Sequence, residues 1–167
     1  MKKEINGAST GTVTLKTPVG KFKITFAGGE VKIFGWGDSS VSGRKPGKMA
    51  GSAKRFVEEM QEYFSSGEWD FIWFELPVGL VPEKTMGVYE YLRKKVGPGS
   101  VITYRELGRA TGIHPRGIGS MMRSNPWPIV VPCHRVIGSG GSLVGYAGGL
   151  EKKEWLLKLE GWPGDCK

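Results

Sequence analysis

A cysteine followed directly by a histidine, Cys133-His134, is the pair in this sequence best suited to covalent chemistry. A thiol is nucleophilic as the thiolate, and with an unperturbed pKa near ~8.5 it needs an adjacent base, cation or helix N-terminus to react at neutral pH. His134 is such a base, and Glu160 is a candidate third member that would orient it. Adjacent residues on an extended strand point to opposite faces, so we expect a turn after Pro132 and a bridging water as proton relay.

The segment before this pair predicts two short helices. Thr103 and Glu106 have the spacing of a capping box, in which each side chain binds the backbone N–H of the other at a helix start. Gly112 would end that helix, and Pro115 suits the first turn of the next, which would run to about Ser124. Two short helices joined by a tight turn that contains glycine, with basic residues on the second, indicate a helix-turn-helix.

Apolar patterns predict further elements around the pair. Residues 88–96 have one apolar helical face, and a buried run at 129–131 would lead the chain to Cys133. A loop rich in glycine and serine follows at 138–149, and a last helix is expected from about Glu151 to Glu160.

The first half of the chain contains no constellation of chemical groups, and we interpret it as structural. Alternating apolar residues separated by turns predict an antiparallel meander. A helix should follow, with apolar residues in helical spacing from Phe56 to Phe64. Residues 37–51 have a loop composition, and residues 71–76 predict a short strand. The meander strands are expected at 12–16, 22–26 and 31–34.

The composition predicts a folded protein of the cytoplasm. Of 167 residues, 39% are hydrophobic and 11% aromatic, which excludes wholesale disorder and suits one domain or two small ones. No apolar run approaches the ~18 residues of a membrane span, and the first residues lack the apolar stretch of a signal peptide. Cys133 and Cys166 are the two cysteines, so neither a disulfide framework nor a CxxC zinc pattern is present, and we expect no metal.

The net charge of +8 is spread unevenly along the chain. Residues 1–79 hold 11 basic and 9 acidic groups, a net +2, whereas residues 80–167 hold 13 and 7, a net +6. A basic half favours a polyanionic partner, nucleic acid first, although a well-solvated surface would account for the charge equally well. A linker rich in proline and glycine at 77–82 marks the expected boundary between the two halves.

The sequence around Cys133 resembles the active-site signature of the O6-alkylguanine-DNA alkyltransferases. The similarity runs from about Thr103 to Gly161, and one earlier segment weakly resembles the N-terminal strands of that family. The stretches that carry it are TYRELGRATG, RGIGSMMRSNP, NPWPIVVPCHRVI, GYAGGL and KKEWLLKLEG, with TPVGKFKI as the weak match. The turn between Gly112 and Arg116 is shorter than in many relatives, and RGIG stands where RAVG is more usual.

The resemblance implies an α+β fold with two domains. Residues 1–79 would form a structural, ribonuclease H-like domain with an antiparallel sheet and a helix. Residues 80–167 would form a mostly helical, winged-helix-like domain that contains the helix-turn-helix, binds DNA and carries out the transfer. The implied reaction moves an alkyl group from O6-alkylguanine, or from O4-alkylthymine, in double-stranded DNA to Cys133. The thioether product resists water, so each molecule would act once, as a monomer and without a cofactor.

The resemblance also implies roles around the reacting atoms. Cys133 would accept the alkyl group, His134 would deprotonate it through a water, and Glu160 would hold His134. Asn125 would tie the second helix to the turn that carries the cysteine. Tyr104 would donate a hydrogen bond to N3 of guanine and rotate the phosphate next to the target base.

Further positions would hold the DNA and the flipped base. Arg116 would fill the vacated place in the base stack, and Arg123 would bind phosphates. Small residues at Gly119 and Ser120 would let the helix enter the minor groove, where sequence readout is degenerate. The expected pocket comprises the carbonyls of Cys133 and Val136, the N–H groups around Tyr146 and Ala147, the apolar wall of Met122, and Val144, which would narrow the pocket.

Three other functions remain open from the sequence alone. An alkyltransferase-like protein would bind lesions without repairing them, but such relatives lack the acceptor cysteine that Cys133 provides. A thiol hydrolase using Cys133 and His134 would need an oxyanion hole and would not explain the basic second half. A helix-turn-helix regulator would have Cys133 as a structural residue.

Overall fold

The computed structural model describes residues 10–37, 49 and 51–164. Most of the predicted loop at 37–51 and Cys166 lie outside the described residues. The strands are β1 Thr10–Thr17, β2 Gly20–Ala27, β3 Glu30–Trp36, β4 Ile102–Thr103 and β5 Val136–Ile137, and the helices are α1 Gly51–Ser66, α2 Glu83–Lys95, α3 Tyr104–Thr111, α4 Pro115–Arg123 and α5 Leu150–Leu159. Two 3₁₀ turns lie at Cys133–Arg135 and Ser139–Gly141. No helix among the described residues is long and apolar enough to cross a membrane.

The chain divides into two compact units, with the division between Glu62 and Tyr63 inside α1. The sequence predicts the boundary later, at 79/80, because the linker composition lies there. The last turn of α1 belongs to the second unit since the buried Tyr63 donates a hydrogen bond to Glu160 of that unit.

The first unit contains the predicted antiparallel meander, in the order β1-β2-β3. Alternation along β2 buries Phe22, Ile24 and Phe26, as the period of two requires. The first turns of α1 bury Phe56, whose ring lies 4.8 Å from the ring of Phe34 on β3. The predicted α+β fold, with an antiparallel sheet and helices, is therefore confirmed.

The predicted strand at 71–76 is wrong, because this segment turns instead of extending. Phe71 has a φ of 53°, in the left-handed region that strands do not use. Its carbonyl and that of Phe74 accept hydrogen bonds from Nη2 of the buried Arg93 on α2, at 2.8 and 2.7 Å. The carbonyls of this loop therefore accept hydrogen bonds from a buried guanidinium, where in a sheet they would accept them from a neighbouring strand.

The helix-turn-helix is present as α3 and α4. The Thr103–Glu106 capping box forms, with the Thr103 Oγ1 accepting from the Glu106 N–H and the Glu106 carboxylate accepting from the Thr103 N–H. Gly112 ends α3 with a φ of 70°, a conformation that costs glycine little. The start of α4 is capped by the His114 Nδ1, which accepts from the Arg116 N–H at 3.3 Å.

A short parallel bridge ties this motif to the reactive pair. β4, which ends at the cap of α3, pairs with β5, which follows the Cys133 turn, through Ile102↔Val136 and Thr103↔Ile137. The first residue of α3 is thereby held beside the turn that carries the cysteine.

Candidate functional site

Cys133 is buried at the start of a 3₁₀ turn, where the sequence predicts a turn after Pro132. The Asn125 side chain holds this turn against the end of α4. Its Nδ2 donates to the Cys133 Sγ at 3.1 Å and to the Val131 carbonyl at 3.0 Å, while its Oδ1 accepts from the Trp127 N–H at 2.9 Å. Asn125 therefore occupies the bridging position that the resemblance implies for it.

The environment of the thiol keeps it protonated at rest. Burial raises the pKa of Cys133, and the hydrogen bond from Asn125 and the charge of Lys153 oppose that shift without cancelling it. A base is therefore required to generate the thiolate.

His134, the residue after Cys133, and Glu160 form a pair of fully buried side chains. The His134 Nε2 lies 2.8 Å from the Glu160 Oε1, and neither side chain is exposed. Burial opposes ionisation of Glu160, but His134 and Arg135 outweigh it and hold the pKa of that carboxyl well below its usual range. Burial also lowers the pKa of His134, although Glu160 opposes this shift, so the imidazole is neutral at neutral pH.

The ionised carboxylate determines which nitrogen of His134 carries the proton. A carboxylate only accepts hydrogen bonds, so Nε2 must carry the hydrogen that faces Glu160. Nδ1 then carries the free lone pair, and this atom is buried without a hydrogen-bond partner among the described residues. The imidazole is thus prepared to accept a proton at Nδ1.

Arg135 is a member of the site that our sequence reasoning missed. Its Nε donates to the Glu160 Oε2 at 2.9 Å, its Nη2 to Oε1 at 2.8 Å, and its Nη1 to the Val96 carbonyl at 2.6 Å. This two-point contact is the geometry in which a guanidinium binds a carboxylate most strongly. Its position next to His134 was the available signal, since a buried carboxylate requires a cationic partner.

Lys153 is the second residue that was missed, because in the sequence it is one of several lysines on a terminal helix. It is fully buried, and its Nζ donates to the carbonyls of Val136 at 2.7 Å and Val144 at 2.8 Å. Burial lowers its pKa to about 8, against the opposing effect of Cys133. Lys153 thus fastens the 138–149 loop to the chain just after the cysteine turn.

A cleft of about 730 Å³ opens onto the cysteine. We call it the Cys133 cleft, and its described lining includes two arginines and no carboxylate. It contains most of the positions predicted to bind DNA or substrate. Its lining residues are Tyr104, Arg116, Gly119, Ser120, Met122, Arg123, Cys133, Val144, Gly145, Tyr146 and Ala147.

Four predicted site residues lie outside this lining, namely Asn125, His134, Val136 and Glu160. The side chains of His134 and Glu160 are fully buried and do not line the cleft, so they do not contact a ligand there. Val136 is fully buried, and its carbonyl, expected to bind the base, accepts a hydrogen bond from Lys153. Tyr104 lines the cleft with its hydroxyl 3.3 Å from the Val144 carbonyl, so it also holds the loop.

The helix α4 presents one small, basic face to the cleft. Arg116, Gly119, Ser120 and Arg123 have the spacing i, i+3, i+4 and i+7 that places side chains on one side of a helix. Ile118 is buried on the other side. A Cβ at Gly119 would meet nothing within 4 Å, so the backbone of α4 is open to close approach there.

A helix-turn-helix beside a basic cleft that ends on a buried thiol defines a nucleic-acid-binding protein with a reactive cysteine. A family model described as the DNA-binding domain of 6-O-methylguanine DNA methyltransferase matches residues 83–162. The methylated-DNA–protein-cysteine methyltransferase of Homo sapiens is 34% identical over 164 residues, which covers 89% of this chain and 79% of that protein.

An archaeal relative and a solved structure agree with these matches. The protein of the same name from Thermococcus kodakarensis is 52% identical over 75 residues, or 44% of this chain, and the match spans less than half of that relative, 42%. The crystal structure of O6-methylguanine-DNA methyltransferase from Pyrococcus kodakaraensis has a TM-score of 0.68 at 31% identity, covering 91% of this chain and 99% of that one. The chain belongs to the family of the methylated-DNA–protein-cysteine methyltransferases, which confirms the resemblance.

Proposed function

We propose that this protein repairs DNA by transferring an alkyl group from O6 of guanine, or from O4 of thymine, in duplex DNA to Cys133. The observation that carries the proposal is that Cys133 lines a basic cleft with α4 and is followed in the chain by the buried His134, which is paired with Glu160. A nucleophile with a base next to it is the arrangement that activates a buried thiol.

The proton leaves Cys133 towards the free Nδ1 of His134, through a water. His134 becomes positively charged in this step, and the Glu160 carboxylate at 2.8 Å stabilises the charge. The thiolate then attacks the alkyl carbon, a carbon–sulfur bond forms, and the carbon–O6 bond breaks. The electron pair of the broken carbon–O6 bond stays on the guanine, which then takes up one proton. Overall, the thiol loses one proton and the guanine gains one.

The basic face of α4 supports binding in the minor groove. Arg116 and Arg123 lie at opposite ends of that face, and the small residues Gly119 and Ser120 lie between them. A helix that contacts phosphates and the shape of the minor groove can bind DNA of any sequence. This suits a protein that must act on lesions in every sequence context. The flipped guanine would enter the cleft against Met122, facing Tyr104 and the backbone N–H groups near Tyr146 and Ala147. The carbonyls of Cys133 and Val136 are the proposed acceptors for its exocyclic amine.

One incubation tests the proposal. The protein is mixed with an equimolar duplex that contains a single O6-methylguanine, and its intact mass is measured. We expect a gain of one methyl group in exchange for one proton, located on Cys133 by peptide mapping, and no gain in Cys133→Ala. Monomeric protein should be consumed one molecule for each lesion. An unchanged mass in the wild type would contradict the proposal.

The same duplex separates repair from lesion binding alone. A lesion-binding protein or a helix-turn-helix regulator would bind the duplex and leave both the mass and the lesion unchanged. The acceptor cysteine is present, and the Asn125 side chain donates a hydrogen bond to its Sγ, which favours transfer over these alternatives.

Arg116→Ala is expected to slow transfer from duplex DNA about tenfold or more while leaving the reaction with free O6-benzylguanine nearly unchanged. The reason is that Arg116 would fill the stack left by the flipped base, and unstacking costs a few kcal/mol. The measurement is the single-turnover rate with each substrate. Ser124→Ala, at the other end of the same helix and outside the Cys133 cleft, is the control. Equal losses with both substrates would argue against the stacking role.

A further inference from the structure

The Glu160 Oε1 receives a third buried donor besides His134 and Arg135. The Tyr63 Oη donates to the Glu160 Oε1 at 2.7 Å, and the Tyr63 Oη also lies 3.5 Å from the His134 Nε2. A carboxylate oxygen with three donors around it cannot rotate without breaking hydrogen bonds, so the plane of Glu160 is fixed.

Tyr63 is itself held rigidly. It is fully buried in the last turn of α1, and its ring packs edge-on to Phe71 with centroids 6.0 Å apart and against Phe64 at 5.6 Å. A buried tyrosine hydroxyl needs a partner, and the one it has is the carboxylate that orients the base. Burial and the charge of Glu160 raise the pKa of Tyr63 well above its ordinary value, so the hydroxyl keeps its proton and remains a donor.

We propose that Tyr63 is a positioning residue for alkyl transfer, which fixes Glu160 and thereby keeps the proton of His134 on Nε2 and leaves the lone pair of Nδ1 free to accept the proton of Cys133. This inference rests on the proposed function, since it assigns Tyr63 to the same proton path. It gives the otherwise structural helix α1 a part in the chemistry.

The hydroxyl dipole favours the charged form of the base. Its hydrogen faces the Glu160 carboxylate, and its oxygen faces the Nε2 side of His134, which turns positive when the thiol proton arrives. Without the hydroxyl, Glu160 is less restrained and the imidazolium loses a nearby oxygen. Cys133 should then ionise only at higher pH.

The test follows thiolate formation directly and needs no DNA. The full chain, with Cys166→Ser so that Cys133 is the reacting thiol, is treated with iodoacetamide across a pH series, and the rate of carboxamidomethylation is measured by mass. In Tyr63→Phe we expect the midpoint of the rate–pH curve to move up by about one pH unit. Below that midpoint the reaction should be roughly tenfold slower than in the wild type, and at high pH the two rates should become equal. A purely structural role would leave the midpoint where it is in the wild type.

Tyr89→Phe is the matched control. It also removes a buried tyrosine hydroxyl, one that donates to the Met121 carbonyl at 2.6 Å and interacts with Ser124 and Cys133 but not with Glu160. We expect no shift of the midpoint in this variant. An unchanged midpoint in Tyr63→Phe, or an equal shift in both variants, would overturn the proposal.

A measurement on the unaltered residue covers the case in which Tyr63→Phe does not fold. In the wild type, nitrogen chemical shifts of His134 should show the neutral ring with its proton on Nε2, and the Tyr63 hydroxyl proton should exchange slowly. A rapidly exchanging hydroxyl or the other tautomer would refute the assignment. Because neither experiment uses alkylated DNA, failure of methyl transfer and failure of this inference are separate results.

Discussion

His134→Ala is expected to slow methyl transfer to Cys133 by about 10²–10⁴-fold, the range associated with loss of a general base. Burial raises the pKa of the thiol, so at neutral pH very little thiolate forms without a proton acceptor. The Nδ1 of His134 is the buried, unpartnered acceptor next to it in sequence. The measurement is the single-turnover rate with a methylated duplex and protein in excess.

Two controls separate this loss from a loss of binding. His134 does not line the Cys133 cleft, so the affinity for the duplex, measured by fluorescence anisotropy, should stay close to that of the wild type. The difference in rate should also shrink at high pH, where hydroxide ionises the thiol without the imidazole. A rate within a few-fold of the wild type at neutral pH would show that another group takes the proton.

Glu160→Ala is expected to lower the free energy of unfolding by about 3–5 kcal/mol, the scale found when one partner of a buried ion pair is removed. The loss is large because Arg135, only 2% exposed, would be left as an uncompensated buried cation. Transfer should slow as well, since His134 loses its orienting partner. Urea unfolding at neutral pH measures the change.

The same helix provides the matched control for this variant. Glu154→Ala removes a carboxylate of α5 that pairs with Lys158 at 2.6 Å on the surface, and surface pairs contribute only about 0–1 kcal/mol. Equal destabilisation by both variants would show that the Glu160 network does not stabilise the fold.

The contribution of Glu160 also has a defined pH dependence. Because folding depresses its pKa, the stabilisation is fully present above the ordinary value of 4.5 and is lost as the pH falls below it. The gap in stability between the wild type and Glu160→Gln should therefore be constant near neutral pH and narrow in acid. A gap that widened in acid would contradict the depressed pKa.

Local rules explain what could be predicted from the sequence. The meander follows from alternation, and the helix-turn-helix follows from the Thr103 cap, Gly112 and Pro115, since each signal acts within a few residues. The turn at Cys133 also follows from a local signal, since Pro132 directly precedes it. The segment 71–76 failed because its backbone is bound by Arg93, some twenty positions later in the chain, and no local pattern reports such a partner.

The sequence by itself determined the reactive pair, the helix-turn-helix and the family, because these depend on residue types at short spacings. The sequence also suggested Glu160 as the partner of His134, but only the tertiary structure decided which further groups surround the pair. Tyr63 and Arg135 come from different elements, and they meet at Glu160 because a buried carboxylate must be satisfied by donors from other parts of the fold. Lys153 ties the 138–149 loop to Val136 for the corresponding reason, since a buried ammonium must donate to carbonyls that the fold places near it.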